Sequence, residues 1–118
     1  MKKAATSLIA LLALALTSFA GDQDFRLVNR TGFTIYSVYV SPSGEDSWQE
    51  DVLQDDTLAS GSALKIRFSK AETTEFWDLR IKSQGGDKYS FYHIDLLKVS
   101  SIVLTYDSDT EKVTADYQ

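Results

Sequence analysis

Residues 46–56, DSWQEDVLQDD, hold five carboxylates beside a tryptophan and two aliphatic residues. Carboxylates this dense could do one of three things. They could gather a cation, present a charged patch to a partner, or decorate a solvated turn. A calcium ion needs six or more oxygens at about 2.3–2.6 Å, mostly from Asp and Glu. Asp46, Glu50, Asp51, Asp55 and Asp56 could supply them, although their spacing fits no standard calcium loop. A second acidic run, DSDTEK (107–112), places Asp107, Asp109 and Glu111 at the first alternating ligand positions of an EF-hand. Lys112 then stands where that loop requires glycine, and Gln118 where it requires a bidentate glutamate, so the run reads as a polar hairpin turn. No cofactor is expected, with calcium as the alternative.

The partner reading rests on the same stretch. Tryptophan is a favoured interface anchor, and an acidic surround attracts basic surfaces. Trp48, Asp51, Asp55 and Asp56 are therefore the candidate partner-binding residues. The structural reading is a capped helical turn. Ser47 and Glu50 have the S-x-x-E spacing of a capping box. Trp48 and Val52, four apart, would share one face with Leu53 adjacent, and one short helical turn is expected within residues 43–60.

Other chemistries find little material. The chain has no cysteine and a single histidine, His93, in the strand-like context FYHID. No nucleophile elbow, zinc-protease helix or phosphate loop occurs. Glycosidases need only two carboxylates, so a small carbohydrate-active enzyme stays as a third reading. The formal charge is −5 and becomes more negative without Lys2 and Lys3. The remaining Lys and Arg residues are scattered, which makes nucleic acid a poor partner.

The elements that must position these residues are strands. Alternation of apolar and polar residues marks 24–30, 33–41, 63–68, 75–83, 89–96, 100–107 and 112–117. Leu64, Ile66 and Phe68 should face one way, as should Trp77, Leu79 and Ile81. Segment 33–41 is apolar on both faces, Phe33/Ile35/Tyr39 and Tyr36/Val38/Val40, which predicts a central strand. Asp78 and Arg80 share a face and could pair. Asn29 to Gly32 reads as a turn between strands, as does QGGDK (84–88). Seven strands and no long amphipathic helix predict an all-β, antiparallel β-sandwich, with a small β-barrel as the alternative.

The N-terminus completes the organisation. Lys2 and Lys3, the apolar run 8–16, and Ser18-Phe19-Ala20 before Gly21 have the three parts of a cleaved secretory signal. The apolar run is shorter than the roughly 20 residues of a membrane span. The expected organisation is a signal peptide at 1–20 and one domain at 21–118, periplasmic or secreted and without a membrane anchor. The two tryptophans, six tyrosines and five phenylalanines of residues 21–118 suit a domain that must be held by packing.

The segments NRTGFTIYSVYVSPSGEDSW, DVL, LASGSALKIRF and WDLRIKSQGGDKYSFYHIDL together resemble a family of small, exported, β-rich bacterial domains of unknown function. The resemblance runs through Asn29, Thr31, Gly32, Thr34, Ile35, Tyr39 to Ser43, Trp48, Asp51, Leu53, Leu58, Gly61, Trp77 to Arg80, Asp95 and Leu96. It implies a β-fold and export, and no activity. Where relatives carry a glycine after the tryptophan and a cysteine after the late Asp-Leu pair, this chain has Gln49 and Leu97. The function expected from all of this is a non-catalytic binding or inhibitor-type module for a basic or mixed-charge extracytoplasmic protein.

Overall fold

A computed structural model describes residues 21–118; the proposed signal peptide lies outside the described residues. Seven strands follow in order: β1 (Phe25–Arg30), β2 (Ile35–Pro42), β3 (Ala63–Ile66), β4 (Phe76–Ser83), β5 (Lys88–Asp95), β6 (Ser101–Asp107) and β7 (Lys112–Tyr117). They form two sheets, β3-β1-β6-β7 and β2-β4-β5, packed as a β-sandwich. Pairing is antiparallel except between β1 and β6, which run parallel from Arg26 beside Ser101 to Arg30 beside Thr105. None of the described residues is helical, so none forms a helix that could cross a membrane.

Each sheet turns one face inward because its strands alternate. Phe25 and Leu27 of β1, Trp77, Leu79 and Ile81 of β4, and Ile102 and Leu104 of β6 are buried in one core. Trp77 sits edge-on to Phe68 at 4.8 Å, and its indole N–H donates to the Thr74 carbonyl at 2.8 Å. The β1–β2 corner is built on a buried polar residue. Asn29, fully buried, donates through Nδ2 to the Phe33 and Leu58 carbonyls, both at 2.9 Å. Its Oδ1 accepts from the Thr31 hydroxyl and backbone N–H. Gly32 supplies the positive φ of 91° that the corner needs.

Two expectations are corrected here. β2 is an edge strand, not a central one; β4 takes the centre of its sheet. The doubly apolar reading of β2 failed because its register shifts between Ile35 and Ser37. That bulge brings Ile35, Val38 and Val40 all into the core and leaves Tyr36 exposed. The expected helical turn in residues 43–60 is also absent. Ser47 Oγ accepts from the Gln49 N–H rather than from Glu50, and Gln49 takes a φ of 63° that a helix cannot use. Residues 51–56 instead make two linked tight turns, Asp51 carbonyl to Gln54 N–H and Leu53 carbonyl to Asp56 N–H.

Candidate functional site

The acidic stretch divides by role. Asp51 Oδ1 accepts from two backbone N–H groups, Val38 of β2 and Leu53, each at 2.9 Å. Val52 donates to the Val38 carbonyl at 2.7 Å, and Ile35 and Leu58 exchange both their backbone bonds. Residues 51–58 therefore cover the open edge of β2, with Val52 and Leu53 driven into the core beneath it. Asp51 is a structural acceptor, whereas Asp46, Glu50 and Asp55 stay exposed and Asp56 is half-buried. The carboxylates do not converge. Among the described residues no three His, Asp or Glu side chains are grouped as a metal ion would require. The second acidic run is a hairpin turn, with Asp107 Oδ1 accepting from the Asp109 N–H and Glu111 at a φ of 57°.

Trp48 lies elsewhere, over the outer face of the three-stranded sheet. The Arg80 guanidinium sits 4.7 Å from its ring centroid, and the Tyr92 ring centroid is 6.2 Å away at 46°. A guanidinium over an indole at this distance is held by the ring quadrupole. Arg80 is aimed by its bond from Nε to Ser90 Oγ at 2.8 Å. The expected Asp78–Arg80 pair does not form. Asp78 Oδ1 accepts instead from the Ser43 hydroxyl at 2.7 Å and the His93 N–H at 2.9 Å.

That last bond explains the shape of the face. Leu79 pairs with Phe91 and Trp77 with Ile94, so Tyr92 and His93 both lie opposite Asp78. This is a β-bulge, with His93 at a φ of 60°. The extra N–H that a bulge leaves unpaired is taken up by Asp78. The consequence is that two successive side chains leave the core face together. Tyr92 is 61% exposed, and the His93 ring stacks on Phe76 at 4.2 Å with the planes parallel.

Beyond the bulge, a cleft of about 170 Å³ opens between the ends of β5 and β7, lined by Tyr92, His93, Ile94, Asp95, Val99 and Tyr117. Burial pushes the Tyr117 hydroxyl pKa up from its ordinary 10.0. Asp95 Oδ1 accepts from the Leu97 N–H at 3.1 Å, and Oδ2 lies 3.9 Å from Lys98 Nζ. Rings, a guanidinium and a cleft lie together here as a candidate recognition surface. Of the predicted site residues it includes Trp48; Asp51 is taken by the β2 edge. Phe76, Arg80, Tyr92 and His93 were missed as site residues. Only the outward alternation of Phe76, Asp78 and Arg80 signalled them, because the bulge that adds Tyr92 and His93 leaves no mark in the pattern.

No family model matches the chain, and no curated protein does. A structure solved by NMR of a protein from Eubacterium rectale is similar in fold, with a TM-score of 0.59 at 17% identity over 89% of this chain and 94% of that one. The likeness concerns the fold alone.

Proposed function

We propose that the protein is an exported, non-catalytic binding module that docks a basic or mixed-charge protein outside the cytoplasm. The docking face is the outer face of β2-β4-β5. The observation that carries this reading is the Trp48–Arg80–Tyr92 cluster, a half-buried indole capped by a guanidinium beside an exposed tyrosine ring. Rigid aromatic side chains with little freedom to lose are the residues from which interface hot spots are made. Glu45, Asp46 and Glu50, exposed on the segment that delivers Trp48, supply the charge. An acidic rim speeds encounter with a basic surface and rejects acidic ones.

The test is capture of partners from the envelope fraction of the source cells at two salt concentrations. Trp48→Ala/Tyr92→Ala should lose the partner at both. Asp46→Lys/Glu50→Lys/Asp55→Lys should lose it chiefly at low salt, where charges act over longer distances. Equal capture by wild type and both variants would reject the reading.

A further inference from the structure

Each sheet of an open sandwich has two edge strands, and each edge is a row of unpaired backbone groups that natural proteins cover or disrupt. Three of the four edges here are managed. Residues 51–58 cover β2. The Tyr92–His93 bulge breaks the regular run of β5. β3 is only four residues long. β7 has none of these devices. It pairs with β6 in unbroken register from Lys112 to Tyr117, with no proline and no bulge.

The phase of that ladder fixes which groups are free. Ser101 and Gln118 exchange both backbone bonds, 3.1 and 2.8 Å. Bonded and non-bonded pairs alternate along an antiparallel ladder. Asp116, Thr114 and Lys112 therefore bond to β6, while the N–H and C=O groups of Val113, Ala115 and Tyr117 point away from it. No backbone or side-chain partner meets them among the described residues.

These three free positions are symmetric about Ala115, the smallest side chain in the strand. We infer that β7 is a homodimerisation edge, on which a second copy of this chain adds its own β7 antiparallel about a dyad at Ala115. Val113 then faces the partner's Tyr117, and Ala115 faces the partner's Ala115. All six free groups on each strand are satisfied, and the two four-stranded sheets join as one. A dyad makes the patch self-complementary by construction. On the outer face Lys112 meets the partner's Gln118 and Thr114 meets the partner's Asp116, so no like charges lie directly opposite. Each Asp116 has the partner's Lys112 and the partner's Asp116 as its diagonal neighbours. This edge lies on the other sheet from the docking face, sharing only Tyr117 with the adjoining cleft, and does not depend on that face's role.

Sedimentation of the described domain from micromolar to millimolar concentration should show its mass doubling. Ala115→Pro removes an outward N–H without touching the β6 ladder, and should stay monomeric with an unchanged β-sheet spectrum. Cross-linking supplies a second measurement that does not require the proline variant to fold. The chain has no native cysteine. Facing Ala115 positions would have Cα atoms about 5.5 Å apart, inside the range a disulfide spans. Ala115→Cys should therefore oxidise to a covalent dimer. Val113→Cys should not, because four residues of offset separate the two copies of that position by about 13 Å. A wild-type chain that remains monomeric at millimolar concentration overturns the inference. So does equal cross-linking of the two cysteine variants, or a folded Ala115→Pro that still dimerises.

Discussion

The two sheets dress their outer faces differently. The four-stranded sheet presents Arg26, Lys65, Thr105, Lys112 and Thr114, all exposed, around a half-buried Val28–Val103 pair, with no large ring among them. The three-stranded sheet presents Phe76, Arg80, Tyr92 and His93 with Trp48 laid over them; Ser90 fixes Arg80, Asp78 holds the His93 backbone, and the rings pack on one another and on the guanidinium. Folding alone requires only the inner faces. Rings placed outside the inner faces add little to the core, which is why this sheet is the one proposed to bind.

Four perturbations test how far the contrast goes. Trp77→Ala should have the largest effect, since it removes an inner-face ring from the sheet whose outer face is proposed to bind. Truncating a buried tryptophan costs about 3–5 kcal/mol, and a domain of this size has roughly 5–15 kcal/mol in all. The melting temperature should fall by well over ten degrees, at about 4–8 °C per kcal/mol; a shift of a few degrees would mean the faces are misassigned.

Asp51→Ala should come next, because two N–H groups at the β2 edge lose their acceptor, at about 1–3 kcal/mol. Its signature is faster amide exchange at Val38 and Leu53, with the rest of the core protected. If those amides exchange as in wild type, the loop is not what seals the edge.

Trp48→Ala is expected to cost less than about 1 kcal/mol of stability, the scale of an exposed cation–π contact, while abolishing partner capture. Lys65→Ala, on the other sheet, should leave both unchanged. Parallel behaviour of the two variants would erase the distinction between the faces.

The smallest effect concerns pH. Burial, with Asp87 nearby, pushes the Tyr89 hydroxyl pKa up, and burial does the same at Tyr117. A folded-state pKa above the unfolded value of about 10 favours folding below that pH and loses the benefit as pH rises towards the folded value. The melting temperature should therefore begin to fall above about pH 10, and ultraviolet titration should show two tyrosines ionising late. Tyr89→Phe should remove one late step and flatten the decline.

All seven strands were legible in the sequence, because alternation over four to eight residues is a local property. The Asn29–Gly32 corner was legible for the same reason, with its buried Asn-Thr bonds confined to a few residues. What escaped were the bulges and the non-local bonds. A bulge shifts phase by one residue, and it made β2 look apolar on both faces and His93 look like an ordinary strand residue. Asp51 bonds a strand thirteen positions earlier, and nothing in SWQED distinguishes that carboxylate from its exposed neighbours. Ser47 and Glu50 matched a helix cap whose geometry the chain did not use, since the pull of β2 on Val52 overrides a weak local preference.

The parallel pairing of β1 with β6 has a kinetic consequence. β1 lies between β3 and β6, so the first strand of the domain cannot complete its backbone bonds until the sixth has been made. Closing so long a loop carries its entropy cost before any contact repays it, and topologies of this kind fold in milliseconds to seconds. A nascent chain ending before residue 101 would expose Leu27 and Val28 on an unfilled edge. The domain is thus built to acquire its structure late, as a whole, rather than strand by strand from its N-terminus.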